Sequence, residues 1–191
     1  MSIKLLVLGL LMEKELHPYE IRQTIKGRNW DQTFRVKDGS LYYAVDQLRQ
    51  DGYIEVSETI PVPGDNRPDK TVYRITESGK AQLHDMLYAQ MGQSFYPQHP
   101  LFMTLPFVRH LDLERVEDLV LKQLEACQNR IDRIEGVLDE KKTRLPRGSI
   151  FMIEGILRFN KTEKDWLEDM LVEARNARLA EMPRMKPESQ S

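Results

Sequence analysis

The spacing of apolar residues predicts that the chain begins with short helices. Residues 2–13 carry a dense apolar run that is typical of a buried helix. His17 and Pro18 open a second helix, because proline is tolerated in a first turn where its missing N–H has no partner, and Gly27 marks the end. A third helix follows Asp38. Its apolar residues share one face at helical spacing: Leu41, Ala44, Val45 and Leu48.

Strict alternation of apolar and polar residues then replaces the helical spacing. Residues 53–60 and 71–75 alternate with period two on either side of a turn-rich tip, which predicts a β-hairpin. Thr76 is a suitable N-cap for a fourth helix. Three short helices, a two-stranded hairpin and a further helix form the order of a winged helix-turn-helix. We assign residues 1–91 to this domain.

The second half of the chain is predicted to be helical after a break at residues 92–100, where Pro97 and Pro100 prevent a continuous helix. A long helix begins after Asp112, and Ser149 is the expected cap of a second. Apolar residues of the first long helix are three and four positions apart, as in a coiled-coil seam: Val116, Val120, Leu124, Cys127, Ile131, Ile134 and Leu138.

A seam of this length has little of its own chain to pack against, so it predicts association of two copies. We therefore expect a mainly α fold with a small β-hairpin wing, in which long antiparallel helices form a dimerisation domain over residues 101–181. Residues 182–191 are polar and contain proline, which predicts a disordered tail.

Cysteine content and hydropathy indicate a reduced cytoplasm and no membrane. Cys127 is the one cysteine, so an intrachain disulfide is impossible, and on the seam it is expected to be a buried, inert thiol. Lys4 and the apolar residues 5–12 resemble the start of a secretory signal, but no small-x-small site follows and residues 13–15 are charged. We interpret the run as a buried helix. No stretch reaches the roughly 18 apolar residues of a membrane span.

Charge and motifs limit the classes of function. Residues 1–91 hold 12 basic and 13 acidic side chains, which counts against nucleic-acid binding and favours an alternative, a protein–protein adaptor with a DNA-silent winged helix. The sequence shows no metal-binding histidine spacing, no G-x-S-x-G motif and no glycine-rich phosphate loop. We expect no enzyme activity, no cofactor and no metal site.

Five sequence blocks lie in the first eighty residues: LGLL at 8–11, HPYEI at 17–21, DGSLYYAVDQL at 38–48, DGYI at 51–54 and VYRITESG at 72–79. In this order and spacing they resemble the motifs of the PadR family of bacterial transcription regulators. The long helices are similar to the dimerisation region of its longer subgroup, which includes virulence activators of the AphA type. The resemblance implies operator binding as a homodimer, usually for repression and often relieved by a small molecule.

The third helix carries most of the candidate DNA contacts. At 100° per residue, the face opposite the apolar residues is centred on Gly39, Tyr43, Asp46 and Gln50 and flanked by Tyr42 and Gln47. Lys37 and Ser40 suit phosphate oxygens, Tyr43 and Gln47 suit base edges, and Tyr19 suits the DNA backbone. The candidate DNA-binding residues are Tyr19, Lys37, Ser40, Tyr42, Tyr43, Gln47, Arg67 and Lys70.

The hairpin tip supplies the last two of these residues. Arg67 suits a narrow minor groove and Lys70 suits a phosphate, although an ordinary polar turn would look the same. Asp65 and Asp69 in the tip depart from the family pattern and should weaken non-specific binding. Tyr43 is a second departure, since the family commonly has proline there, and it should alter base preference or backbone contacts.

An aromatic stripe in the second half has two interpretations. Phe159, Trp166 and Met170 are seven and four residues apart and so share a helix face, which is usual for core or dimer contacts. The same stripe would also suit a pocket for a planar apolar or phenolic effector, as in some family members. Trp30, just after the second helix, is expected to pack rather than sense a ligand.

Overall fold

A computed structural model describes residues 3–34, 38–61 and 70–182. Its contacts divide the chain into two units, Met1–Phe95 and Tyr96–Ser191, here called the winged unit and the helical unit. The winged unit contains α1 (Ile3–Glu13), α2 (Pro18–Gly27), α3 (Trp30–Thr33), α4 (Asp38–Gln50), β1 (Ile54–Ile60), β2 (Lys70–Ile75) and α5 (Glu77–Met91).

The winged helix-turn-helix order is confirmed, and the core of this unit forms around α1. Five residues of α1 are buried: Leu6, Val7, Leu8, Leu10 and Leu11. They pack against α4, α5 and β2, so the apolar run is a buried helix. The polar connection after α2 contains a short helix that the sequence pattern did not predict. Trp30 in this helix packs against the core, as expected.

The hairpin is antiparallel, with Ile54 opposite Ile75 and Ile60 opposite Lys70. A register shift between Val56 and Glu58 places a bulge in β1. Leu16, in the connection between α1 and α2, extends the sheet, because it exchanges two backbone hydrogen bonds of 3.1 and 3.0 Å with Tyr73. The wing is thereby attached to the helices through its second strand.

Two glycines fix the path between α4 and α5. Gly52 has φ +74°, a left-handed conformation that favours glycine, and it ends α4. Gly79 lies in the first turn of α5, where an added Cβ would come within 2.0 Å of the Tyr53 carbonyl oxygen. Thr76 caps this helix as predicted, since its Oγ1 accepts a hydrogen bond from the Gly79 N–H.

The helical unit is built mainly from two helices of equal length, α7 (Leu113–Lys141) and α8 (Arg147–Arg175). They are preceded by α6 (Pro100–Thr104) and a 3-10 helix, Leu105–His110. Glu117 pairs with Arg175 and Glu135 with Lys161, so the two helices run antiparallel. Asp112 caps α7 as predicted.

The beginning of α8 differs from the prediction. The expected cap, Ser149, lies inside the helix, and its N–H donates to the Pro146 carbonyl. Pro146 has extended backbone angles and is the N-cap of α8. The helix therefore starts at Arg147, three residues earlier than a cap at Ser149 would place it. Beyond Met182, the predicted tail lies outside the described residues.

The seam of α7 is covered by the same chain, so the expectation that it lacks an intrachain partner is wrong. Val120, Cys127 and Ile131 are buried in one cluster with three residues of α8: Leu167, Met170 and Leu171. Val116 and Leu124 are half-buried against this cluster. Ile134 and Leu138 are half-buried farther along α7. The reason is length, because α8 has as many residues as α7 and lies along it.

Candidate nucleic-acid interface

Helix α4 has one buried face and one exposed face. Leu41, Ala44, Val45 and Leu48 are all at most 3% exposed. The opposite face presents Tyr42 and Tyr43, which are 46% and 68% exposed, together with Asp46. Because the buried face packs into the core around α1, the exposed side chains are held on a fixed support.

The polar candidates on α4 differ in their surroundings. Ser40 lies exposed in the first turn of the helix. Gln47 is half-buried, and its Nε2 donates to the Gln50 Oε1 at 3.2 Å. This bond lies along the helix surface and leaves the Gln47 carbonyl oxygen as an acceptor. Lys37 lies outside the described residues.

Helix α2 begins with a reciprocal cap built on a histidine. The His17 Nδ1 accepts from the Tyr19 N–H at 3.1 Å, while the Glu20 carboxylate accepts from the His17 N–H at 2.8 Å. Tyr19 is 49% exposed, and its hydroxyl accepts from the Gln23 Nε2 at 2.6 Å. The sequence analysis did not include Gln23 among the candidate residues, although its position four residues after Tyr19 places the two side chains on one helix face.

The far end of α2 is tied to α1 by a forked ion pair. The two terminal nitrogens of Arg28 donate to the two oxygens of Glu13 at 2.8 and 2.6 Å. Arg28 also lies over the Trp30 ring, 4.9 Å from its centroid. The hydrogen bond to Arg28 lowers the pKa of Glu13, and the same bond raises the pKa of Arg28. Both ends of α2 are therefore positioned by specific contacts.

The wing contributes one described candidate. Lys70 is exposed at the first position of β2, and Arg67 lies outside the described residues. Arg74 of β2 forms a cross-strand ion pair with Glu55 at 2.7 Å. Ser57, at the bulge, donates to the carboxylate of Glu15 next to Leu16. The first contact joins the two strands of the wing, and the second joins the wing to the connection between α1 and α2.

The three residues of the aromatic stripe in α8 differ in how far they are exposed. Met170 is buried in the core, Trp166 is half-buried, and Phe159 is 67% exposed. The Trp166 ring lies at a steep angle to the rings of His99 and Phe102, whose centroids are 5.1 and 5.4 Å away. A separate open groove between α7 and α8 is lined mainly by charged residues and contains none of the stripe.

A polar network crosses from α7 to α8 beside Trp166. Arg130 donates to both oxygens of Glu163 at 2.8 Å and to the Asn160 Oδ1 at 2.9 Å. The His99 Nε2 lies 3.4 Å from the Glu163 Oε1. Cys127 is fully buried and donates to the Asn160 carbonyl at 3.3 Å. Burial raises the pKa of the Cys127 thiol, and the nearby Glu163 carboxylate acts in the same direction.

The described part of the chain contains no cluster of three or more histidine, cysteine or carboxylate side chains able to hold a metal ion. Every helix in the described ranges is too short or too polar to cross a lipid bilayer.

Comparisons with known proteins give the same fold over nearly the whole chain. The negative transcriptional regulator PadR of Bacillus subtilis (strain 168) is 24% identical over 177 residues, which are 88% of this chain and 95% of the relative. Its crystal structure in complex with operator DNA matches with a TM-score of 0.75 at 24% identity, covering 90% of this chain and 98% of that chain. A structure of the same protein with p-coumaric acid matches with a TM-score of 0.71 at 23% identity. The match covers 91% of this chain and 98% of that chain.

Two further solved structures are similar. That of smu.1604c from Streptococcus mutans UA159 is 30% identical with a TM-score of 0.70, covering 90% of this chain and 99% of that chain. The Vibrio cholerae virulence activator AphA has the same fold, with a TM-score of 0.69 at 13% identity. The match covers 92% of this chain and 99% of that chain. The model of the transcriptional regulator PadR-like family matches residues 7–85, which contain α2, α4 and both strands. The chain therefore belongs to the PadR-like family of transcriptional regulators.

Proposed function

We propose that this protein is a site-specific repressor that binds an inverted-repeat operator as a homodimer in the cytoplasm, with α4 in the major groove. One observation carries the proposal. Helix α4 presents Tyr42, Tyr43 and Asp46 on one exposed face while its other face is fixed in the core. A helix held in this way can enter a groove without an additional ordering cost. A relative from Bacillus subtilis with the same fold has been crystallised in complex with operator DNA, which supports DNA binding.

The proposed contacts fall into two groups. Tyr19, Ser40 and Tyr42 are exposed and suit phosphate oxygens, which fix position without reading sequence. Tyr43 and Gln47 project from the middle of α4 and suit base edges. On the wing, Lys70 would contact a phosphate. Lys37 and Arg67, which lie outside the described residues, complete the proposed set.

Dimerisation gives the operator its symmetry. A two-fold dimer presents two copies of α4, so the half-sites should be roughly 34–36 Å apart, or a multiple of this distance. Since Val120, Cys127 and Ile131 are buried inside the chain, we assign the dimer contact to apolar side chains that the helical unit leaves exposed. Leu119 on α7 and Phe151 on α8 are 51% and 65% exposed, and such groups on long helices are typical of self-association surfaces.

We propose a small phenolic or aromatic acid as the effector. The relative from Bacillus subtilis has been crystallised with p-coumaric acid. In this chain the Trp166 ring packs against the rings of His99 and Phe102, and Phe159 and Met170 share its helix face. An effector that prefers one arrangement of these helices would release DNA by the difference in its affinity for the two states.

The first test is selection of genomic fragments by the purified full-length protein at about physiological salt, followed by a footprint on the strongest fragment. We expect one inverted repeat and a steep loss of affinity with increasing salt. Weak binding with no sequence preference, in the presence and absence of p-coumaric acid, would contradict the proposal and favour the adaptor.

A wing variant tests the phosphate contact. Lys70→Ala should weaken binding to every DNA sequence alike and lower the slope of log affinity against log salt by about one. Arg74→Ala is a control, because this cation is already paired with Glu55. An unchanged salt slope in Lys70→Ala would show that the wing lies away from the phosphates.

A further inference from the structure

We propose that Asp46 determines operator specificity by accepting a hydrogen bond from the exocyclic amino group of a base, with cytosine preferred, and by repelling phosphate at all other positions. The inference rests on the proposed function, since it requires α4 to lie in the major groove. It assigns a role to the one acidic side chain at the centre of the exposed face of this helix.

The position of Asp46 places it among the candidate base contacts. It follows Tyr42 by four residues and Tyr43 by three, so the three side chains are neighbours on the helix surface. The residues around it in sequence, Val45 and Leu48, point into the core. Asp46 itself is exposed and therefore faces the same side as the two tyrosines.

Among the described residues, no cationic side chain pairs with the carboxylate of Asp46. Several other carboxylates of the winged unit are paired: Glu13 with Arg28, Asp51 with Lys4, Glu55 with Arg74 and Glu77 with Lys80. Among the described residues, Asp46 forms neither an ion pair nor a hydrogen bond. Its charge is thus available to whatever α4 contacts.

The chemistry of that charge limits the partner. A carboxylate only accepts hydrogen bonds, and a phosphate also only accepts them, so the two repel each other. In the major groove the donors are the amino groups of cytosine and adenine, and a carboxylate is the usual partner of the cytosine N4 amino group. Only a site with the correct base compensates for the repulsion. Specificity then arises from a cost imposed on every other sequence.

The experiment compares full-length Asp46→Asn with the parent by selection from a random duplex library, and by affinity for the selected operator and for an unrelated duplex. Asparagine pairs with adenine through two hydrogen bonds. We therefore expect the preferred base at one position of each half-site to change from cytosine to adenine. The ratio of specific to non-specific affinity should fall by about tenfold, mostly through stronger binding to the unrelated duplex.

The matched control is Asp85→Asn, which removes the same charge from an exposed position on α5, away from α4. It should retain the parent's selected sequence, and any gain in non-specific affinity should be smaller than that of Asp46→Asn. Thermal unfolding of both variants verifies that the fold is intact.

Each result has a distinct meaning. If Asp46→Asn selects the parent's sequence at every position and binds the unrelated duplex as the parent does, the inference is overturned while the proposed function stands. An equal effect of Asp85→Asn would also overturn it, because net charge alone would then account for the change. If the parent selects no sequence at all, the proposed function fails and the inference fails with it.

Discussion

The winged unit and the helical unit both bury apolar stripes, but they differ in how far a stripe identifies its partner. In the winged unit, short elements meet around α1, and the apolar face of α4 has one available core. In the helical unit, the seam of α7 would fit a second copy as well as α8, and α8 covers it. A periodic stripe therefore predicts that a face is buried, but it does not predict by which chain.

A charge at the centre of the α7 seam should have the largest effect. Val120→Asp places an unpaired carboxylate in a site that is 2% exposed, and we expect it to cost about 4 kcal/mol or more of stability. Urea unfolding of the full chain measures this. The control is its neighbour Leu119→Asp, which should keep the stability and instead weaken self-association, measured by sedimentation. Equal stability of the two variants would contradict burial of the seam within one chain.

Glycine-to-alanine substitutions should change the stability of the two units in opposite directions. Gly79→Ala brings a methyl group against the Tyr53 carbonyl, so we expect a loss of about 1–3 kcal/mol in the winged unit. Gly136→Ala is the counterpart in α7, where nothing lies within 4 Å of the new carbon. Because alanine has the higher helix propensity, this variant should raise the stability of the helical unit by up to about 1 kcal/mol. Hydrogen exchange locates each change. A loss of stability in Gly136→Ala would contradict this expectation and indicate that this part of α7 is closely packed.

Removal of the histidine cap should have a smaller, local effect. His17→Ala deletes the acceptor of the Tyr19 N–H, and loss of an N-cap costs about 1 kcal/mol. We expect faster amide exchange in the first turn of α2 and weaker operator binding, because Tyr19 loses its fixed position. His17→Asn should restore both properties, since asparagine is a strong N-cap. If the alanine variant exchanged as slowly as the parent, the capping box would not hold this turn.

The smallest effect concerns acid stability. The pKa of Glu13 is lower in the folded chain than in the unfolded chain, because Arg28 donates hydrogen bonds to its carboxylate. The pair therefore stabilises the fold above the unfolded pKa, and this contribution is lost as the pH falls through the folded value. Both side chains are partly exposed, so the contribution is below about 1 kcal/mol. Glu13→Gln should lower stability slightly at pH 7 and flatten its acid dependence, as measured by thermal melts.

Much of the winged unit was predictable because its signals are short-range. The period of apolar residues, the cap at Thr76 and the break at Gly52 each depend on residues within one turn or one strand. Most candidate contacts on α4 lie on the exposed face for the same reason. The cap of α8 was misplaced at Ser149 because serine is a common N-cap, whereas Pro146 had already fixed the start of the helix.

The order of elements and the buried and exposed faces of α4 could be predicted from the amino-acid sequence, because these features follow from local periodicity. Three features became visible only in the folded chain: α8 covers Val120 and Ile131, Leu16 joins the sheet at Tyr73, and Asp46 has no partner among the described residues. These features depend on contacts between residues far apart in sequence. Many alternative pairings satisfy the same local pattern, and only the packing of the whole unit selects among them.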